Sequence, residues 1–207
     1  NYYVTPNILK RAGEETQFEE LTQLSIDLAK EASKNYEVLV AGSFPPIETS
    51  FRPDLTPKDE ELCQFYSSIG SIMENQVDLI LCETMSSIRE GIQAASTAKQ
   101  YSERVWLSWT TRGLNGEALP SGESLINAIN AANELNIECQ LINCVSMDLV
   151  TAQINTLKLA GKFGVFANSC VLKNSINDLG EAFDIDENHH ANTVTVSPKE
   201  YALEAKK

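Results

Sequence analysis

Basic residues are scarce in this chain: 16 Lys and Arg stand against 29 Asp and Glu, a formal net charge of −13. Binding to a nucleic-acid backbone needs clustered Lys and Arg, and no such run occurs, so nucleic acid is not an expected partner. Long apolar runs are also lacking. Nothing approaches the roughly 20 residues of a membrane helix, and the opening NYYVTPNILKRAG is too polar for a secretory signal. The five cysteines (Cys63, Cys82, Cys139, Cys144 and Cys170) are odd in number and form no CxxC. Scattered thiols without a signal point to a reducing, cytoplasmic setting, with buried or metal-binding cysteines rather than disulfides. Neither GxGxxG nor a GxxxxGK phosphate loop is present, which withdraws support from a nucleotide-binding sheet.

The 207 residues are 43% hydrophobic and 22% charged, an ordinary balance for one domain over 1–207 with a real core. A rhythm repeats five times. Strand-like runs fall at 36–43, 77–83, 104–110, 137–144 and 162–168, with helical stretches at 7–34, 57–75, 86–101, 121–136 and 146–160. In the second stretch, Leu62, Phe65, Ile69 and Ile72 recur at spacings of three and four. Pro57 after Thr56 suits a first helical position, Ser86 and Ser121 are candidate caps, and a further helix starts at Ser197.

Strands alternating with longer helices mean βα units and a parallel sheet, and near-continuous apolar strands fit burial on both faces. A doubly wound sheet or a (β/α)8 barrel would satisfy this pattern. Ser43, Glu83, Ser108, Thr110, Asn143, Cys144 and Asn168 all lie at or just past the C-terminal ends of their strands. A barrel gathers such ends at one mouth, whereas an open sheet gathers only those beside its switch point. The pattern therefore favours a TIM barrel. Five strands fall short of eight, so the expectation is an incomplete barrel holding about strands 3 to 7 with their helices.

Residue type alone leaves the chemistry open. Glu83, in CETMSS, can cap a loop or anchor a substrate ammonium. Cys144, in LINCVSMDLV, can be a small buried hydrophobe or a metal ligand. Alternation turns Cys82 away from Glu83, while Ser108 and Thr110 share a face. Trp106 and Trp109 face opposite ways, one of them under the helices. Cys63 and Cys139 read as structural, Cys170 as packing, and Arg52 as a solvated or substrate-side loop residue. His189 and His190, in DIDENHHANT, read as a solvated loop.

The motifs taken together resemble the homocysteine S-methyltransferase family. The pieces, in family order, are NYYVTPNILKRAG, VAGSFPPIETSFRPD, DLILCETMSSIREG, LSWTTRGLNGEALPSGESL and LINCVSMDLV, with weaker GVFANS and SPKEYALEA. The resemblance implies a (β/α)8 barrel that binds Zn2+ through three cysteines, the one at the sixth strand matching Cys144. The other two form an adjacent pair in a Gly-Gly-Cys-Cys segment, and this sequence has no adjacent cysteines. That segment and the family's first-strand Asp-Gly-Gly are expected to lie beyond the chain's ends.

Glu83 matches the carboxylate that holds the homocysteine amino group, and Ser43, Ser108 and Asn143 are expected around the substrate. In the implied chemistry zinc stabilises the substrate thiolate, which attacks a methyl group on a cationic donor. The protein orients the reactants and excludes water, which accounts for a site with no catalytic His. The implied activity is methyl transfer from a sulfonium such as S-methylmethionine to homocysteine, giving methionine. With a single zinc ligand, the chain by itself is expected to be inactive. The alternatives are a related thiol or selenol methyltransferase and a non-catalytic barrel remnant that binds or assembles.

Overall fold

The computed structural model describes residues 1–172 and 193–206. Five strands, β1 (Ala41–Phe44), β2 (Leu79–Met85), β3 (Val105–Trp109), β4 (Cys139–Ser146) and β5 (Phe163–Asn168), form one sheet in the order β1-β2-β3-β4-β5, every pair parallel. The helices are α1 (Pro6–Ala12), α2 (Phe18–Ser33), α3 (Asp59–Met73), α4 (Ile88–Ala98), α5 (Leu125–Glu134), α6 (Met147–Leu157) and α7 (Pro198–Glu204). Short strands β6 (Cys170–Leu172) and β7 (Thr193–Thr195) pair antiparallel. Each βα crossover steps one strand the same way, and right-handed crossovers then put the helices on one face. A doubly wound sheet would reverse its order at a switch point. This one never reverses, so it is an arc of a (β/α)8 barrel.

The core lies between the sheet and the helices. Leu62, Phe65, Tyr66, Ile69 and Met73 of α3 are buried at helical spacing, and Tyr66 stacks on Phe44 of β1 with ring centroids 5.1 Å apart. From the strands, Ile80, Cys82, Leu107, Trp109 and Ile142 enter the same cluster. Trp109 lies so close under α4 that a methyl group at Gly91 would overlap its ring. The opposite set (Ser43, Leu81, Glu83, Trp106, Ser108, Leu141 and Asn143) faces the inside of the arc by alternation. Trp109 is thus the tryptophan under the helices, and Cys82 does turn away from Glu83.

Several expected boundaries move. The stretch 7–34 is two helices, because Gly13 at φ 74° ends α1 and a 3-10 turn at Glu15–Gln17 precedes α2. The first strand is Ala41–Phe44 rather than 36–43, since Tyr36, Val38 and Leu39 lie exposed before it. Pro57 stands outside α3, whose N-cap Lys58 makes no side-chain cap bond. Ser87 and Ser124, not Ser86 and Ser121, cap α4 and α5, each accepting a backbone N–H three residues on. Ser197 begins α7 with a capping box, as its spacing to Glu200 requires. His189 and His190 lie outside the described residues.

Candidate active site at the C-terminal strand ends

Two irregularities shape the mouth of the arc. Between Cys82 and Met85, β2 carries one residue more than β3 opposite it, and between Asn143 and Ser146, β4 does the same against β5. Bulges of this kind re-aim side chains and are common beside active sites. Each contains a non-glycine residue in the left-handed region, Thr84 at φ 62° and Cys144 at φ 57°. For β-branched Thr84 this conformation is strained, so the surroundings must hold it.

Asn143 supplies that hold. Its Oδ1 accepts from the Thr84 N–H at 3.2 Å and from the Ser108 hydroxyl at 2.6 Å. Its Nδ2 donates to Thr84 Oγ1 at 2.7 Å and to Cys144 Sγ at 3.0 Å. All four hydrogen-bonding positions of the amide are therefore used within the protein. Asn143, Thr84 and Ser108 are each fully buried. One side chain ties β2, β3 and β4 together and holds the Cys144 sulfur, which also lies 3.7 Å from Thr84 Oγ1.

Glu83 faces the same space. Burial pushes its carboxyl above the usual range, and the neighbouring Ser43 hydroxyl partly offsets this. That hydroxyl makes no hydrogen bond of good geometry, so it is a buried polar group facing the mouth without a firm partner. Burial also raises the Cys144 thiol; the hydroxyl of Thr84 and the amide of Asn143 pull it down, and the Glu83 charge adds to the rise. The hydroxyls of Thr110 and Thr111, just past β3, are buried without partners as well.

Five of the residues expected from sequence thus gather at one end of the sheet: Ser43 beside Glu83, and Ser108 linked through Asn143 to Cys144. Arg52 is engaged elsewhere, donating to both carboxylate oxygens of Asp54 at 2.8 and 2.7 Å. Two further residues stand at the mouth that strand position and motif do not single out. Thr84 is one, directly after Glu83 in CETMSS. The other is Tyr2, whose hydroxyl hydrogen-bonds Ser50. Burial raises the Tyr2 phenol far above its ordinary value, Ser50 and Thr84 moderate the shift, and Cys144 and Glu83 add to it.

A family model described as homocysteine S-methyltransferase matches residues 1–206. The chain belongs to the homocysteine S-methyltransferase family. Among solved structures it is similar to the homocysteine methyltransferase MmuM from Escherichia coli in its metallated form, at 25% identity and TM-score 0.67, covering 81% of this chain and 65% of that one. The oxidized form matches at 24% identity and TM-score 0.67, covering 81% and 64%. The apo form matches at 24% and 0.61, covering 74% and 61%. The chain thus spans just under two thirds of the length of the MmuM chain. A search of curated protein sequences returns no match.

The zinc that the family resemblance implies meets one thiol here. Cys82 points to the other side of the sheet. Cys139 begins β4, five residues and roughly 15 Å from Cys144 along the strand. Cys63 sits on α3, and the Cys170 side chain is outside the described residues. Among the described residues no group of three His, Cys, Asp or Glu could hold a metal ion. Zinc usually takes at least three protein ligands, so these residues do not by themselves fit it.

Proposed function

We propose that the chain is the homocysteine-binding part of an S-methyltransferase that moves a methyl group from a sulfonium donor, such as S-methylmethionine, to the homocysteine sulfur. The observation that carries this reading is the meeting of Glu83 and Cys144 at one mouth, in a member of this family. Glu83 receives the substrate ammonium through a charge-assisted hydrogen bond. Cys144 marks the end of the pocket where the substrate sulfur lies. Ser43 offers its unpartnered hydroxyl to the bound amino acid. Ser108 and Asn143 act one step back by holding Thr84 and Cys144 in place. Cys144 is the one residue here through which zinc would be bound, and a complete zinc centre needs ligands beyond the described residues. A cytoplasmic location accords with the four free cysteines among those residues.

Calorimetric titration with L-homocysteine and with 4-mercaptobutanoate, which lacks the amino group, tests this reading. The wild type should prefer homocysteine by about tenfold or more, the worth of one charge-assisted bond of roughly 1.5–3 kcal/mol. In Glu83→Gln the preference should shrink towards unity. Equal binding of the two ligands by the wild type would remove the ammonium site from the account. A non-catalytic barrel remnant is the second reading, favoured by the single zinc ligand. It predicts the same binding but no methionine from zinc and S-methylmethionine even when the whole product of the gene is assayed.

A further inference from the structure

Two consecutive tyrosines near the start of the chain part company. Tyr3 is 65% exposed, whereas Tyr2 is half-buried and hydrogen-bonds Ser50. Their rings meet edge to face, with centroids 5.2 Å apart. The segment that carries them is pinned at both ends. The Asn1 side chain accepts from the Ser43 N–H at 3.3 Å and donates to the Ser43 carbonyl at 3.1 Å, occupying the free edge of β1 as a strand would. Thr5, fully buried, caps α1 by accepting from Ile8 N–H. Between these anchors Tyr2 reaches Ser50 and lies within electrostatic range of both Glu83 and Cys144.

We propose that Tyr2 is a binding residue of the amino-acid pocket, a wall laid over the space between Glu83 and Cys144 that shields the sulfur end from water. For what fills the pocket, the inference rests on the reading above. The role needs the ring, not the hydroxyl: an aromatic face covers the two methylenes of homocysteine, while the bond to Ser50 fixes the ring's angle. Shielding matters because a thiolate stripped of its hydration shell is the stronger nucleophile, and charges in a dry site act on one another more strongly.

Peptide-resolved mass spectrometry of iodoacetamide labelling tests the cover on the chain itself, with Cys63 as internal reference. Thiol labelling follows exposure, so Tyr2→Ala should label Cys144 about fivefold faster or more, with Cys63 unchanged. Tyr2→Phe and Ser50→Ala, which both keep the ring, should stay within about twofold of wild type. Should Tyr2→Ala unfold, buried Cys82 and Cys139 would label too; Tyr2→Val, which removes the ring but keeps an apolar stem, then decides. Wild-type rates at Cys144 in folded Tyr2→Ala or, failing that, in Tyr2→Val would overturn the proposal. A parallel arm adds L-methionine, the expected product, as occupant. Protection of Cys144 in the wild type supports the amino-acid pocket. Acceleration in Tyr2→Ala without such protection would keep the cover and reject the pocket's proposed ligand.

Discussion

Glu90 sits almost fully buried under the mouth, on the first turn of α4, accepting hydrogen bonds from the Ser86 N–H at 3.3 Å and hydroxyl at 3.1 Å. Burial outweighs those bonds and pushes its carboxyl up from 4.5 to about 7. A folded-state value above the unfolded one means that the native state binds the extra proton. Its contribution to stability is therefore complete below about 4.5 and is lost as pH rises through about 7. From about pH 5 to pH 8 the wild type should lose up to about 3 kcal/mol relative to Glu90→Gln, which keeps the acceptor and cannot ionise. Urea denaturation at several pH values reads this directly, and parallel curves for the two proteins would contradict it. At this scale sequence order made Glu83 and Cys144 legible, because strand-end position and motif agreed. Thr84 and Tyr2 were not legible. A left-handed φ at a threonine arises from a bulge, and the inward turn of Tyr2 depends on Ser50, 48 residues away.

The bulges of β2 and β4 are separate in sequence and meet through a single amide. Asn143→Ala should leave the buried Thr84 N–H and the Ser108 hydroxyl unpaired, costing about 2–4 kcal/mol. Ser43→Ala removes a hydroxyl that has no firm partner and should change stability by less than about 0.5 kcal/mol. Urea midpoints measured on both variants make the comparison, and a Ser43→Ala loss as large as that of Asn143→Ala would show the bonding pattern to be wrong. Periodicity revealed the strand–helix alternation because each strand is covered by helices. It failed where tertiary contact decides. Tyr36, Val38 and Leu39 have strand-like composition but lie exposed before β1. Gly13 did signal a helix end after Lys10 and Arg11, and the apolar pattern running on to Leu28 concealed it.

As a whole, the described molecule is an arc of parallel strands whose order never reverses, and this gathers the reactive strand ends at one mouth. The repeat of βα units made the arc legible in sequence; the part of a barrel that closes it involves pairings to which local pattern does not speak. With one thiol at the mouth among the described residues, residues 1–207 should hold zinc weakly if at all. Equilibrium dialysis with atomic absorption tests this, and tight one-to-one zinc would contradict it and direct attention to Cys170, His189 and His190. On the proposed function, Glu83 and Cys144 mark the two ends of one homocysteine pocket. The most direct test is a crystal structure of the chain with L-homocysteine. The ammonium should lie about 2.8 Å from the Glu83 carboxylate, with the sulfur end against Cys144 beneath Tyr2. An amino acid bound elsewhere, or reversed with its carboxylate toward Glu83, would contradict this reading.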